Sequence, residues 1–268
     1  MTGKFNLYGI YKRWAAKDSG STQKKEVETF DLQTANLVPV FDSKTNQFAS
    51  VYFKAKNDCR NHNITELIKR CLRNIHYWQC HGRAIRCILP AHYSELIAES
   101  TINQIEELLV SSKLPVGLIA IVIIDLDEKI YSLIEFNLHR LKRLGVVFEI
   151  LKDPTAVDDL AWLPRSLFEG MHIQVSEIRQ SYKDKKHCDE LGQLIEKINS
   201  NNFHKYCGDI ALVHDLIFAK NIGIDFCYGP LMMNAISEHQ ILKIKESQFA
   251  NLKVDPTPSP HLHDGEHR

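Results

Sequence analysis

Apolar and polar residues follow two rhythms along this chain, and the switches between them mark out its elements. Within "ITELIKRCLRNIHYWQC", Ile64, Leu67, Ile68, Cys71, Leu72 and Ile75 recur at helical spacing, which predicts an amphipathic helix. "GLIAIVIID" is apolar without alternation, the mark of a strand covered on both faces. "ANLVPVFD" and "QFASVYFKA" flank the turn-rich "SKTN" and read as a hairpin. "AIRCILP", "VVFEIL" and "GMHIQVS" read as further strands, the last two on either side of a short helix. "STINQIEELLVSS", "CDELGQLIEKINSN", "LVHDLIFAKNIG" and "AISEHQILKIKES" read as helices, as does "EKIYSLIEFNLHRLKRLG", which Gly145 should stop.

Strand–helix units repeated with unbroken apolar strands argue for parallel strands covered by helices. Seven or eight such units suit a closed α/β barrel of the TIM-like type better than an open sheet. In that architecture chemistry sits at the C-terminal ends of the strands. Residues 1–34 are polar and mixed, and are expected to form an N-terminal extension. Residues 35–250 are expected to form the barrel domain, and 251–268, "NLKVDPTPSPHLHDGEHR", a disordered tail. The tail's His261, His263 and His267 are read as incidental, since nothing rigid gathers them into a metal site.

Composition narrows the function classes. Thirty-three basic residues balance thirty-three acidic ones, so there is no general attraction to nucleic acid or an anionic membrane, despite "YKRW" and "HRLKR". No apolar run reaches membrane-spanning length. The first twenty residues lack an apolar block ahead of a cleavage site, so a cytoplasmic location is expected. Cysteines 59, 71, 80, 87, 188, 207 and 227 include no C-x-x-C pair and are read as reduced thiols.

One stretch raises the question of metal chemistry. In "LKDPTAVDDLAWL", Asp158 and Asp159 follow closely on the strand ending at Leu151, where many enzymes hold divalent cations. The order of segments answers it. "VPVFDSKTNQFASVYFKAK", "LKRLGVVFEIL" and "AKNIGIDFCYGPLM" resemble, in frame and spacing, the opening hairpin, the strand before the Asp-Asp pair, and the last strand of the EAL-domain family of cyclic di-GMP phosphodiesterases. The resemblance runs from about Leu37 to Asn234 and implies a β/α barrel of the EAL type with its first strand antiparallel. It also implies a site in which two divalent metals activate water, held by carboxylates and an amide, because hard cations need oxygen ligands.

Carried over residue by residue, the resemblance puts the family's metal ligands on Tyr52, Ile88, Asp125, Leu151, Lys152 and Gly208. Of these only Asp125 keeps a carboxylate, and Lys152 puts a cation where cations would bind. Asp158 and Asp159 fall seven residues past the ligand positions and are read as capping a short helix. Tyr52, Lys56, His172 and Tyr228 fall where a nucleotide would stack or be held, and are read as side chains filling the mouth. The expectation is a degenerate member of the family with no catalytic residues, no metal and no cofactor. It would be a regulator that binds another protein in bacterial motility, pilus or biofilm control. Neither cyclic di-GMP, a membrane nor nucleic acid is expected as a partner, and a homodimer is left open. The alternatives are a cyclic di-GMP receptor that binds without hydrolysis, and a phosphodiesterase reworked around Asp125, Asp153 and Asp209.

Overall fold

Eight strands close on themselves in sequence order, β1 to β8, each hydrogen-bonded to the next and β8 to β1. The structure is a computed structural model and describes residues 35–55, 63–115, 117–151 and 160–245. β1 (Ala35–Asp42) runs antiparallel to β2 (Phe48–Ala55) and to β8 (Phe226–Tyr228). All the other pairings are parallel. The strands between are β3 (Arg86–His92), β4 (Ile119–Ile124), β5 (Val147–Leu151), β6 (Phe168–Gln174) and β7 (His204–Gly208). The helices are α1 (Ile64–Cys80), α2 (Glu99–Ser112), α3 (Glu128–Arg143), α4 (Val175–Ser181), α5 (Lys185–Ser200), α6 (Val213–Asn221) and α7 (Glu238–Ile241). Two 3₁₀ turns, Tyr93–Leu96 and Leu160–Trp162, complete the described elements. This is the predicted architecture, including its antiparallel first strand.

Local chemistry sets the element ends. The Asp42 carboxylate accepts from the amides of Lys44 (2.9 Å) and Thr45 (2.7 Å), closing the hairpin as an Asx turn. Asn63 caps α1 by accepting from Thr65 N, and Asp127 caps α3 by accepting from Ile130 N. Gly145 stops α3 as predicted. It adopts a φ of 87°, its amide bonds Lys142 O, and Val146 N reaches Leu141 O, a Schellman closure that an L side chain would strain.

Period-two alternation divides the apolar residues into two cores. Phe53, Cys87, Leu89, Ile121, Phe148 and Met171 join the helix residues Ile68, Ile75, Ile134 and Leu138 in the shell between barrel and helices. Val38, Val40, Ile88, Ala120, Val122, Val147, Tyr206 and Tyr228 form a separate cluster inside the barrel.

Three sequence readings shift. β3 starts two residues later than "AIRCILP" and continues to His92. "GMHIQVS" divides: the strand starts at Phe168 and ends at Gln174, while Val175 and Ser176 open α4. The predicted C-terminal helix shrinks to the four residues of α7. There the Arg83 guanidinium takes the carbonyls of Ile241 (3.1 Å) and Ile244 (2.9 Å), and Trp78 Nε1 takes that of Glu238 (3.0 Å). Side chains at and just past the end of α1 thus satisfy carbonyls that a continuing helix would use. Lys56, Lys152, Asp153, Asp158 and Asp159 lie outside the described residues, as do the N-terminal extension and the tail. Past the aspartate pair the described residues form a 3₁₀ turn, Leu160–Trp162, with Leu160 and Leu163 buried.

Candidate functional site

The C-terminal ends of the strands form the barrel mouth, and the register brings the sequence-predicted residues together there. Tyr52 on β2 pairs with Ile88 on β3 and Val38 on β1. Leu151 on β5 pairs with His172 on β6, and Tyr228 on β8 with Val40 on β1. Tyr52 and Tyr228 stack with centroids 4.7 Å apart and planes at 20°. His172 lies 6.0 Å from the Tyr52 ring and 6.1 Å from that of Tyr228. Beneath, His172 stacks on Tyr206 at 4.4 Å and 4°, and Tyr206 stacks on Phe226 at 4.9 Å and 22°. Inside the barrel these rings form a column beside the aliphatic side chains of Val38, Val40, Ile88, Ala120, Val122 and Val147.

Two glycines make room for that column. A Cβ on Gly208 would lie 2.5 Å from the Tyr228 ring, and one on Gly170 would lie 2.7 Å from that of Tyr206. The missing side chain of Gly208 is the space that Tyr228 fills.

Charged groups thread the column. Glu149, on β5 and wholly buried, accepts from Arg86 Nη2 at 2.6 Å and from His172 Nε2 at 2.7 Å. His172 Nδ1 lies 3.3 Å from the Tyr228 hydroxyl. Each ring nitrogen of His172 therefore has a polar partner. Burial alone would raise the Glu149 pKa; the hydrogen bond from His172, the charges of His172 and Arg86, and the Tyr206 hydroxyl together hold it below the ordinary carboxylate value. The phenols respond in the opposite sense. Burial pushes Tyr228 up, helped by Tyr52, and pushes Tyr206 up, helped by the Glu149 charge. At the floor of the barrel, Arg86 Nη1 stands 3.7 Å from Glu169, whose other oxygen lies 3.1 Å from Lys142 Nζ.

Arg86, Glu149, Tyr206 and Gly170 did not emerge from the sequence as site residues. The signal was there: "AIRCILP" and "VVFEIL" each carry one charged residue inside an otherwise apolar strand. β7 ends at Gly208. Asp209 then turns the chain with a φ of 60°, and Ile210 N bonds Tyr228 O at 3.1 Å.

On the rim, Asp125 follows β4 with a φ of 59° and lies 3.5 Å from His92 Nε2. Asp209 pairs with Lys54. Among the described residues, no three or more His, Cys, Asp or Glu side chains are grouped to hold a metal ion. Nor does the donor chemistry fit the two-metal site that the resemblance implies: Tyr52 offers a neutral phenol, Ile88, Leu151 and Gly208 offer no ligand atom, and the Tyr228 ring occupies the space over Gly208. A cavity of about 350 Å³ opens at the other end of the barrel, lined by Arg165, Phe168, Glu169, Asn201, Phe203 and His204. No helix among the described residues is long and apolar enough to cross a membrane.

No protein-family model matches the sequence, and no curated protein does. Solved structures do match the fold. The EAL domain of Mycobacterium smegmatis DcpA superposes with a TM-score of 0.63 at 12% identity, over 78% of this chain and 94% of that one. The EAL enzyme Bd1971, in its cAMP- and cyclic-di-GMP-bound form, gives 0.65 at 13%, over 88% and 67%. The FimX EAL domain of Pseudomonas aeruginosa, bound to c-di-GMP, gives 0.57 at 11%, over 87% and 98%.

Two expectations fall with these matches. The conclusion from the substituted ligands that the chain is not an enzyme does not stand, because the same barrel is carried by a protein described as an EAL enzyme. The expectation against cyclic di-GMP does not stand either, because neighbours of this fold were crystallised with that nucleotide bound. At such identities the likeness speaks for architecture, and on that ground the chain carries the EAL-domain fold.

Proposed function

We propose that this chain is a cytoplasmic regulatory protein of the EAL fold that works by binding another protein, in the control of bacterial motility, pilus function or biofilm formation. One observation carries the reading. The mouth residues Tyr52, His172 and Tyr228 are committed to one another, to Glu149 and to the space over Gly208. The surfaces left for recognition lie on the rim and the helices. On this reading the barrel is a rigid scaffold, residues 1–34 an extension and residues 251–268 a tail. Affinity capture of the full chain from its native host, with mass spectrometry of the eluate, tests it. One protein should be enriched in near-stoichiometric amount and survive a salt wash; its absence from every growth condition defeats the reading.

A second reading is binding of cyclic di-GMP at the mouth, favoured by the neighbours crystallised with it. The Tyr52–Tyr228 stack would have to open for a base to enter. Calorimetric titration separates the two: micromolar or tighter binding that Tyr228→Leu weakens favours the nucleotide.

A further inference from the structure

Two runs of exposed residues meet on the mouth side of the barrel. One is Tyr182–Lys186, leading into α5; the other is Ala211–His214, opening α6. Tyr182 joins them. Its ring sits 4.9 Å from Phe218 and its hydroxyl donates to His214 O at 3.3 Å. The joined rim exposes three large apolar side chains, Tyr182 at 41%, Leu212 at 45% and Val213 at 53%. Beside them stand Lys183, Lys185 and Lys186, with Asp184 the one acid in that run. Asp184 is already used, its carboxylate accepting from Lys186 N to cap α5. Lys186 lies 3.6 Å from Glu190 on α5, so the rim shows an apolar centre bordered by Lys183 and Lys185 and by the Lys186–Glu190 pair. The other exposed apolar pair, Leu133 and Phe136 on α3, has mixed charges around it and favours no partner chemistry.

We infer that this rim docks an acidic segment of the protein partner, anchored by an apolar side chain seated among Tyr182, Leu212 and Val213. The inference rests on the reading above, that the chain works through a protein partner. Apolar contact supplies the anchor, while the lysines steer and orient a segment of opposite charge. Such attraction between exposed groups weakens as salt rises.

Fluorescence anisotropy of the full chain tests this with two labelled amphipathic peptides, one of leucine and glutamate, the other with each glutamate replaced by lysine. The glutamate peptide should bind more tightly, and less so as salt rises. The triple variant Lys183→Glu/Lys185→Glu/Lys186→Glu should weaken it by about tenfold or more. Leu212→Ser/Val213→Ser should weaken it with the lysines intact, so the test survives if the triple variant does not fold. Equal binding of both peptides, or variants that bind like wild type, overturns the inference. So does co-sedimentation with phosphatidylglycerol vesicles by a chain that ignores the glutamate peptide, which would make the rim a membrane contact. If a native partner is captured equally by wild type and both variants, the protein-partner reading stands and this docking site falls.

Discussion

The shell between barrel and helices and the column inside the barrel are built on different principles, though the same strands supply both. The shell is apolar: Ile68, Ile75, Leu89, Ile134 and Leu138 are wholly buried there with Phe53, Trp78 and Phe148. Its stability comes from removing apolar area from water, and many side chains of similar volume would serve. The column is made of Arg86, Glu149, His172, Tyr206 and Tyr228, with Gly170 and Gly208 shaped to admit the rings. Each member there is held by specific neighbours. The shell should tolerate exchange, and the column should not.

The largest effect should come from removing the carboxylate at the centre of the column. Glu149→Ala leaves the Arg86 guanidinium and His172 facing an apolar cavity, and a broken buried pair costs about 3–5 kcal/mol. Urea unfolding followed by circular dichroism measures it; a loss below about 1 kcal/mol would mean that water replaces the carboxylate. The same group sets an acid limit. Because its folded pKa is lowered relative to the unfolded value, its contribution is full above the ordinary carboxylate range. It disappears as pH falls through the depressed folded value. Urea midpoints should decline on acidification, and more steeply for wild type than for Glu149→Gln, which has no proton to take up there.

Next in size is the fit between Gly208 and Tyr228. Gly208 has no positive φ, so alanine meets no backbone penalty; the cost is the steric overlap with the ring. Gly208→Ala should destabilise by about 1–3 kcal/mol, as overpacking does. Combined with Tyr228→Leu, which withdraws the ring, the loss should fall short of the sum of the single changes. Additive losses would show that the two residues do not share the space.

The same contrast explains what could be read in advance. The shell was legible because helical spacing places Ile64, Leu67, Ile68, Cys71, Leu72 and Ile75 on one face of α1, and because β4 is apolar throughout. The stop at Gly145 was legible because a left-handed residue after a helix favours glycine. Tyr52, His172 and Tyr228 were found through their spacing against a known barrel. The Arg86–Glu149 pair was not: its members lie 63 residues apart on β3 and β5, two strands with β4 between them. The overlong C-terminal helix failed for a related reason, since Arg83 and Trp78 reach its carbonyls from more than 150 residues away.

A conservative change in the shell should be milder. Ile134→Val removes one methylene from a fully buried site on α3 and should cost about 0.5–1.5 kcal/mol. Thermal unfolding should show one cooperative transition at slightly lower temperature. A loss as large as that of Gly208→Ala would mean that the shell is as tightly specified as the column.

The smallest effect should come from the rim, where Lys54 and Asp209 form a pair of the same chemical kind as Arg86 and Glu149. The Lys54 and Asp209 side chains are 49% and 59% exposed, against 24% and 0% for Arg86 and Glu149. Water already solvates both rim charges and salt screens them, so the pair adds little beyond what each group has alone. Lys54→Met should change the unfolding free energy by no more than about 0.2–1 kcal/mol, and raising the salt should reduce even that. The contrast with Glu149→Ala is one of solvent, not of charge: two cation–carboxylate contacts in one barrel, one at the water's edge and one with its carboxylate sealed beneath a ring stack. If Lys54→Met matched Glu149→Ala, burial would not be what separates mouth from rim, and the column would lose its claim to be the specified part of the fold.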